Sequence, residues 1–187
     1  MSILTEYPIA PEIEASAWLN TTAPLSLSKM RGSVVVIHAF QMLCPGCVSH
    51  GIPQTKMIAE TFSDKEVKVI GLHTVFEHHA VMTADALKAF IHEYRITFPI
   101  AIDMPASTGH IPKTMQCYEM RGTPTLILID KNGRVRLNHF GRMDDMQVGK
   151  LISELVSEAA ALTSLTEKAE PTLDSPESKC DENGCYI

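Results

Sequence analysis

A chain of 187 residues, 45% hydrophobic and 20% charged, is long enough for one domain with a full core plus appendages, and has an ordinary globular composition. A net charge of −6 without any lysine/arginine cluster argues against nucleic acid as a partner, and no apolar stretch approaches the length that crosses a bilayer. Residues 1–8 lack the basic start and apolar core of a signal peptide, so the chain is expected in the cytoplasm without membrane contact. Five cysteines in that reducing compartment point to catalysis rather than to a disulfide framework.

In chain order, residues 1–32 read as short extended pieces punctuated by Pro8, Pro11 and Pro24, a β-rich extension that Trp18 anchors on the domain. Within it, Leu25, Ser26, Leu27 and Ser28 alternate like an edge strand. The β-branched run 33–40 reads as a strand buried on both faces, followed by a helical pattern through Val48, Ile52, Ile58 and Phe62. Residues 67–72 form a second strand, parallel to the first if the crossover is right-handed. Thr83 is placed to cap a helix whose Leu87, Phe90, Ile91 and Tyr94 share one face. A short strand over 98–102 and a short helix over 113–119 follow, with Cys117 expected to pack as a small hydrophobe. Residues 125–129 are a third buried strand, and Asn132-Gly133 turns the chain into another over 135–140. The last helix starts near Asp144 or Asp145 and buries Val148, Ile152 and Leu155. Beyond about Thr163 the periodicity stops, so the domain is assigned to 1–163 and an acidic, flexible tail to 164–187.

The chemistry is concentrated in Cys44-Pro45-Gly46-Cys47, between the first buried strand and its helix. Pro45 suits a first helical turn, where its missing N–H would have no partner anyway. Cys44 then stands at the positive end of the helix, where an anion gains about 0.3–1 kcal/mol, or ~2 when partly buried. One pKa unit is about 1.4 kcal/mol, so the dipole alone brings a thiol from about 8.5 toward 7. Cys44 is the candidate nucleophile. Cys47, one turn further on, is near enough to resolve a mixed disulfide on Cys44, and the spacing lets the pair close without backbone movement. A zinc site needs about four ligands, usually as two spaced pairs, and no second pair accompanies this one in the globular part. Val48 after Cys47 excludes covalent haem, and no metal or other cofactor is assigned.

The order of elements, with Cys44-Pro45-Gly46-Cys47 after the first buried strand and Gly122-Thr123-Pro124-Thr125 before the third, resembles the thioredoxin superfamily. The stretches 25–32, 94–99 and 122–133 look most like its TlpA-like thiol-disulfide oxidoreductases, over roughly 8–160. That resemblance implies an α/β fold with a central mixed sheet flanked by helices, and an inserted helix–strand unit, here about 76–104. It also implies a cis Thr123–Pro124 bond facing the dithiol, so that Thr123, Pro124, Pro45 and Gly46 would border the substrate. Leu43 stands where relatives usually carry Trp, and the buried acid many of them use as a proton shuttle is missing. His38 occupies the corresponding position of thioredoxin itself, and His50 falls near the acid of the TlpA-like branch, which makes both candidates for proton transfer.

Cys180 and Cys185 flank a turn-forming run in the tail. A bond between them would close only a few residues and stabilise the domain little, so they are read as a possible electron relay to Cys44 and Cys47. The expected function is a monomeric thiol-disulfide oxidoreductase, a reductant of protein or small-molecule disulfides recharged by a thiol donor. Two rivals remain open. A peroxiredoxin-like peroxide reductase would need Pro and Thr seven and three residues before its cysteine, where this chain has Ile37 and Gln41. A metal carrier without turnover would use Cys44, Cys47 and a histidine.

Overall fold

The computed structural model describes residues 7–159 and, beyond them, the backbone of two three-residue strands. Its centre is β2 (Val34–Phe40), in which every residue is buried. Alternation along that strand decides what each face meets. Val34, Val36 and Phe40 join a core cluster that contains Cys47, Ile52 and Ile58, while Val35, Ile37 and Ala39 join the one on the opposite face. His38, an even position like Val36 and Phe40, stands on the face that carries Cys47, its ring stacked 6.0 Å from that of Phe40.

Around β2 the other strands form a six-stranded sheet. β3 (Val67–His73) runs parallel to β2, and β4 (Ile100–Asp103) parallel to β3. β5 (Thr125–Ile129) is antiparallel to β2 and β6 (Val135–Phe140) antiparallel to β5, joined through the expected Asn132-Gly133 turn, where Gly133 has φ +72°. The outermost strand beyond β4 is β1 (Ala15–Leu19), antiparallel to it, so the sheet is mixed. Helices α1 (Ile52–Thr61), α2 (Ala84–Glu93), α3 (Lys113–Cys117) and α4 (Asp145–Ser157) cover the sheet. Thr83 caps α2 by accepting the Ala86 N–H at 3.2 Å, and Asp144 caps α4 by accepting those of Met146 and Gln147.

Three local expectations are corrected. The edge strand is β1, while the stretch read as alternating contains a 3₁₀ turn, Leu27–Met30. The cause is long-range: the Glu12 carboxylate accepts the N–H groups of Leu27 at 2.7 Å and Ser28 at 2.8 Å, curling the chain there. Cys117 is exposed, because on the short α3 the inward positions are taken by Thr114, Met115 and Tyr118. The regular helix expected from Val48 instead begins with a π turn, Cys47–Gly51, in which the Ile52 N–H donates to the Cys47 carbonyl five residues back. The last two strands, β7 (Lys179–Asp181) and β8 (Gly184–Tyr186), pair with each other as an antiparallel hairpin. No helix among the described residues is long and apolar enough to cross a membrane.

Candidate active site

The end of β2 delivers the chain to Cys44, and the π turn carries Cys47 inward. The two sulfurs are bonded to each other, with Cα atoms 5.2 Å apart. Their surroundings differ: Cys47 is wholly buried, whereas Cys44 is half-buried and open to a visitor. The Cys47 N–H donates to Cys44 Sγ at 3.2 Å, an interaction that would also hold a thiolate there. Cys44 Sγ lies 3.5 Å from the Thr123 carbonyl oxygen. The Thr123–Pro124 bond is cis, as the resemblance implied, and Pro124 is tied to the end of β6 by the Gly141 N–H, which donates to its carbonyl at 2.8 Å. Gly46 closes against the same proline: a Cβ there would sit 3.3 Å from Pro124 Cδ, tighter than ordinary contact. Cys44, Gly46, Thr123 and Pro124 therefore meet on one surface, beside exposed Pro45 and exposed Leu43.

Beneath that surface lies His38. It is 3% exposed, and neither ring nitrogen has a hydrogen-bond partner. Burial alone pushes its pKa down to about 4, so the imidazole is neutral at pH 7. Gly51 makes room for it, since any Cβ at that position would overlap the His38 ring. A cavity of about 90 Å³ opens beside the ring, lined by His38, His50, Gly51, Gln54, Pro124 and Arg142. His50 is exposed at the rim of this cavity, so the two histidines share one pocket from opposite depths.

Two features of the site escaped sequence reading. One is the π turn, whose signal was Gly51 inside an otherwise helical pattern, a mark of close approach by another group. The other is Gln54, whose Nε2 donates to the Met143 carbonyl at 2.9 Å and to Asp145 Oδ1 at 2.7 Å, fastening α1 to the start of α4. No sequence pattern links positions so far apart. Cys180 and Cys185 are opposed in the backbone register of the β7–β8 hairpin, and their side chains lie outside the described residues. Among the described residues, no group of three His, Cys, Asp or Glu side chains could hold a metal ion.

Comparison with known proteins agrees with this geometry. Residues 9–138 match the model of the AhpC/TSA family. Human NHL repeat-containing protein 2 is 31% identical over 131 residues, covering 68% of this chain and 17% of that protein. The chain thus spans less than a fifth of that relative's length. A thiol-disulfide oxidoreductase ResA of Bacillus thuringiensis subsp. konkukian is 31% identical over 111 residues, 59% of this chain and 57% of its own. Among solved structures, a thioredoxin-like superfamily protein superimposes with a TM-score of 0.80 at 52% identity, covering 81% of this chain and 98% of that one. A thiol-disulfide isomerase from Corynebacterium glutamicum gives 0.79 at 49% identity, covering 83% and 100%. The sheet, the paired sulfurs and these likenesses converge: the chain belongs to the AhpC/TSA family, within the thioredoxin superfamily, and is similar to its thiol-disulfide oxidoreductases.

Proposed function

We propose that the chain reduces protein disulfides, with Cys44 as nucleophile and Cys47 as resolving thiol. The observation that carries this reading is the asymmetry of the pair, Cys44 half-buried at the surface and Cys47 wholly buried. A Cys44 thiolate attacks one sulfur of the substrate disulfide, and the other sulfur leaves as a thiolate. Cys47, deprotonated, then attacks Cys44 Sγ, releasing the substrate thiol and forming the Cys44–Cys47 disulfide. A thiol donor restores the dithiol by the reverse exchange. Thr123 and Pro124 border the incoming substrate backbone, with Pro45 and Gly46 opposite.

Proton transfer falls to His38, with His50 at the outer end of the same cavity. Burial keeps His38 neutral, the form that accepts a proton. The reductase direction is supported by the helix terminus and the one N–H at Cys44, both of which favour its thiolate. A reductant belongs in a reducing compartment, and we place the protein in the cytoplasm. It works as a monomer, since Cys44, Cys47, His38 and Pro124 come from one chain. We assign residues 1–163 to the catalytic domain and the Cys180/Cys185 pair in the tail to electron relay. That relay is supported by the opposed register of the two cysteines.

Insulin-disulfide reduction with a thiol donor tests the central claim. The wild type should accelerate it, Cys44→Ser should abolish the acceleration, and Cys47→Ser should accumulate a mixed disulfide on Cys44. No acceleration by the wild type, or full activity in Cys44→Ser, ends the proposal. Peroxide consumption under the same conditions should stay at the uncatalysed rate, since buried Ile37 and Gln41 occupy the places a peroxiredoxin fills with Pro and Thr.

A further inference from the structure

Two guanidinium groups stand beside the dithiol without an acidic partner. Arg121 is two residues before Thr123, whose carbonyl oxygen lies 3.5 Å from Cys44 Sγ. Consecutive Cα atoms are about 3.8 Å apart, so the Arg121 backbone is within roughly 8 Å of Thr123. Its guanidinium lies over the exposed ring of Phe140, 5.7 Å from the centroid. The same ring packs on Gly122, where a Cβ would sit only 2.8 Å away. Stacking on the ring holds the charge in place and leaves its N–H groups for a carboxylate. Arg142 follows Gly141, whose N–H donates to the Pro124 carbonyl, and it lines the cavity beside His38. Both arginines are exposed, and among the described residues neither forms an ion pair. The acids that follow Arg142 are committed elsewhere: Asp144 caps α4, and Asp145 accepts from Gln54 Nε2.

The excess of negative charge lies in the tail. Residues 164–187 hold six acidic side chains and two lysines, so four of the six net negative charges belong to that segment. Asp181 and Glu182 follow Cys180 directly. The cysteine assigned to the relay thus carries carboxylates at its flank, and the cysteine it has to meet is bordered by unpaired arginines.

We propose that Arg121 and Arg142 dock the acidic segment Cys180-Asp181-Glu182 of this chain's own tail on the Thr123–Pro124 surface, bringing the Cys180 sulfur to the Cys44–Cys47 bond. The inference rests on the relay reading above and gives it a recognition element. In the step it serves, the Cys180 thiolate attacks Cys44 Sγ and Cys47 leaves as a thiolate. Cys185 then attacks Cys180 Sγ, Cys44 leaves as a thiolate, and a thiol donor reduces the Cys180–Cys185 disulfide that remains. The tether alone gives Cys180 an effective concentration on the order of millimolar. Exposed ion pairs raise it by a further factor that salt screens.

The test uses the full chain with Cys47, Cys117 and Cys185 replaced by Ser, which leaves Cys44 and Cys180 to pair. Equilibration with reduced and oxidised glutathione, read by mass mapping without reduction, gives the effective concentration of Cys180 at Cys44. At about 50 mM salt, Arg121→Gln with Arg142→Gln should lower it about fivefold, the combined effect of two exposed ion pairs. Asp181→Asn with Glu182→Gln should lower it as much, and about 0.5 M NaCl should erase both differences. Reversing the charges on both sides, Arg121→Glu and Arg142→Glu with Asp181→Arg and Glu182→Arg, should restore the starting value, which a merely structural role for the arginines would not allow. An effective concentration that either neutralised pair leaves unchanged, or that the double reversal fails to restore, overturns the docking and leaves the relay standing. No Cys44–Cys180 disulfide at any glutathione ratio overturns the relay and the docking with it.

Discussion

At the scale of single residues, the site depends on groups that lack what such groups usually have. His38 has no hydrogen-bond partner for either nitrogen, and His73, just as buried, has none for Nε2. Burial lowers both pKa values to about 4. The sign of the consequence is fixed by linkage. Between pH 6.5 and 4 the unfolded chain binds protons that the folded one refuses, so stability is full above about 6.5 and is lost as pH falls. From pH 7 to 5 each histidine should cost about 2 kcal/mol. Urea melts at the two pH values measure the sum, and His38→Leu, which removes one titrating group, should lose about half of the pH dependence. An equal pH dependence in that variant would mean His38 is not held neutral by burial. Gly51 and Gly46 complete the residue-scale picture: the His38 ring occupies the space a Cβ on Gly51 would need, and Pro124 lies close against Gly46.

At the scale of elements, the informative pieces are α1, with its π turn, and α4. Regular period-3.6 reading located both helices, because Ile52, Ile58, Val148, Ile152 and Leu155 are buried as the pattern required. It could not show that the first turn has five residues where four were expected, since that follows from the fit of Gly51 over His38. Nor could it show the gap between the helices, which Gly149 lines and which depends on Gln54 holding Asp145 at 2.7 Å. Gly149→Ala makes the cost of that gap measurable. The position is mid-helix and its surroundings are open, so alanine should stabilise the protein by about 1 kcal/mol in thermal or urea melts. A loss of stability would mean that the crevice floor is packed after all.

At the scale of the whole molecule, the proposed relay turns on whether the length of the tail allows Cys180 and Cys185 to meet Cys44. The end of α4 is tied to the β5–β6 hairpin: Lys131 Nζ donates to the Val156 and Glu158 carbonyls, and Arg136 pairs with the Glu158 carboxylate. Cys180 follows 22 residues after Glu158, a run whose average span is about 25 Å if unstructured. A domain of this size has a radius of gyration near 15 Å, so the tail can reach round to Cys44. Replacing Cys180 and Cys185 together with Ser should slow re-reduction of Cys44–Cys47 by the physiological thiol donor several-fold, while the stability of the domain stays unchanged. Stopped-flow re-reduction reads the first and a thermal melt the second; an unaltered rate ends the relay.

Sequence by itself determined the α/β class, the three central strands, the helix cap at Thr83, the start of the last helix near Asp144 or Asp145, and the placing of Cys44-Pro45-Gly46-Cys47 between strand and helix. These are local matters: periodicity, capping chemistry and the two-residue spacing of a dithiol act over a few positions. The cis bond and the facing of Pro124 to the dithiol came from family resemblance, not from any pattern in the chain. Tertiary structure alone decided the rest. The edge of the sheet went to Ala15–Leu19 because Glu12 curls the alternating stretch by accepting its N–H groups. Cys117 faces water because its neighbours on α3 fill the inward positions. The histidine pocket and the crevice beside it exist only where α1, α4 and the Pro124 loop meet, and contacts between segments as far apart as Gln54 and Asp145 leave no local trace in a sequence.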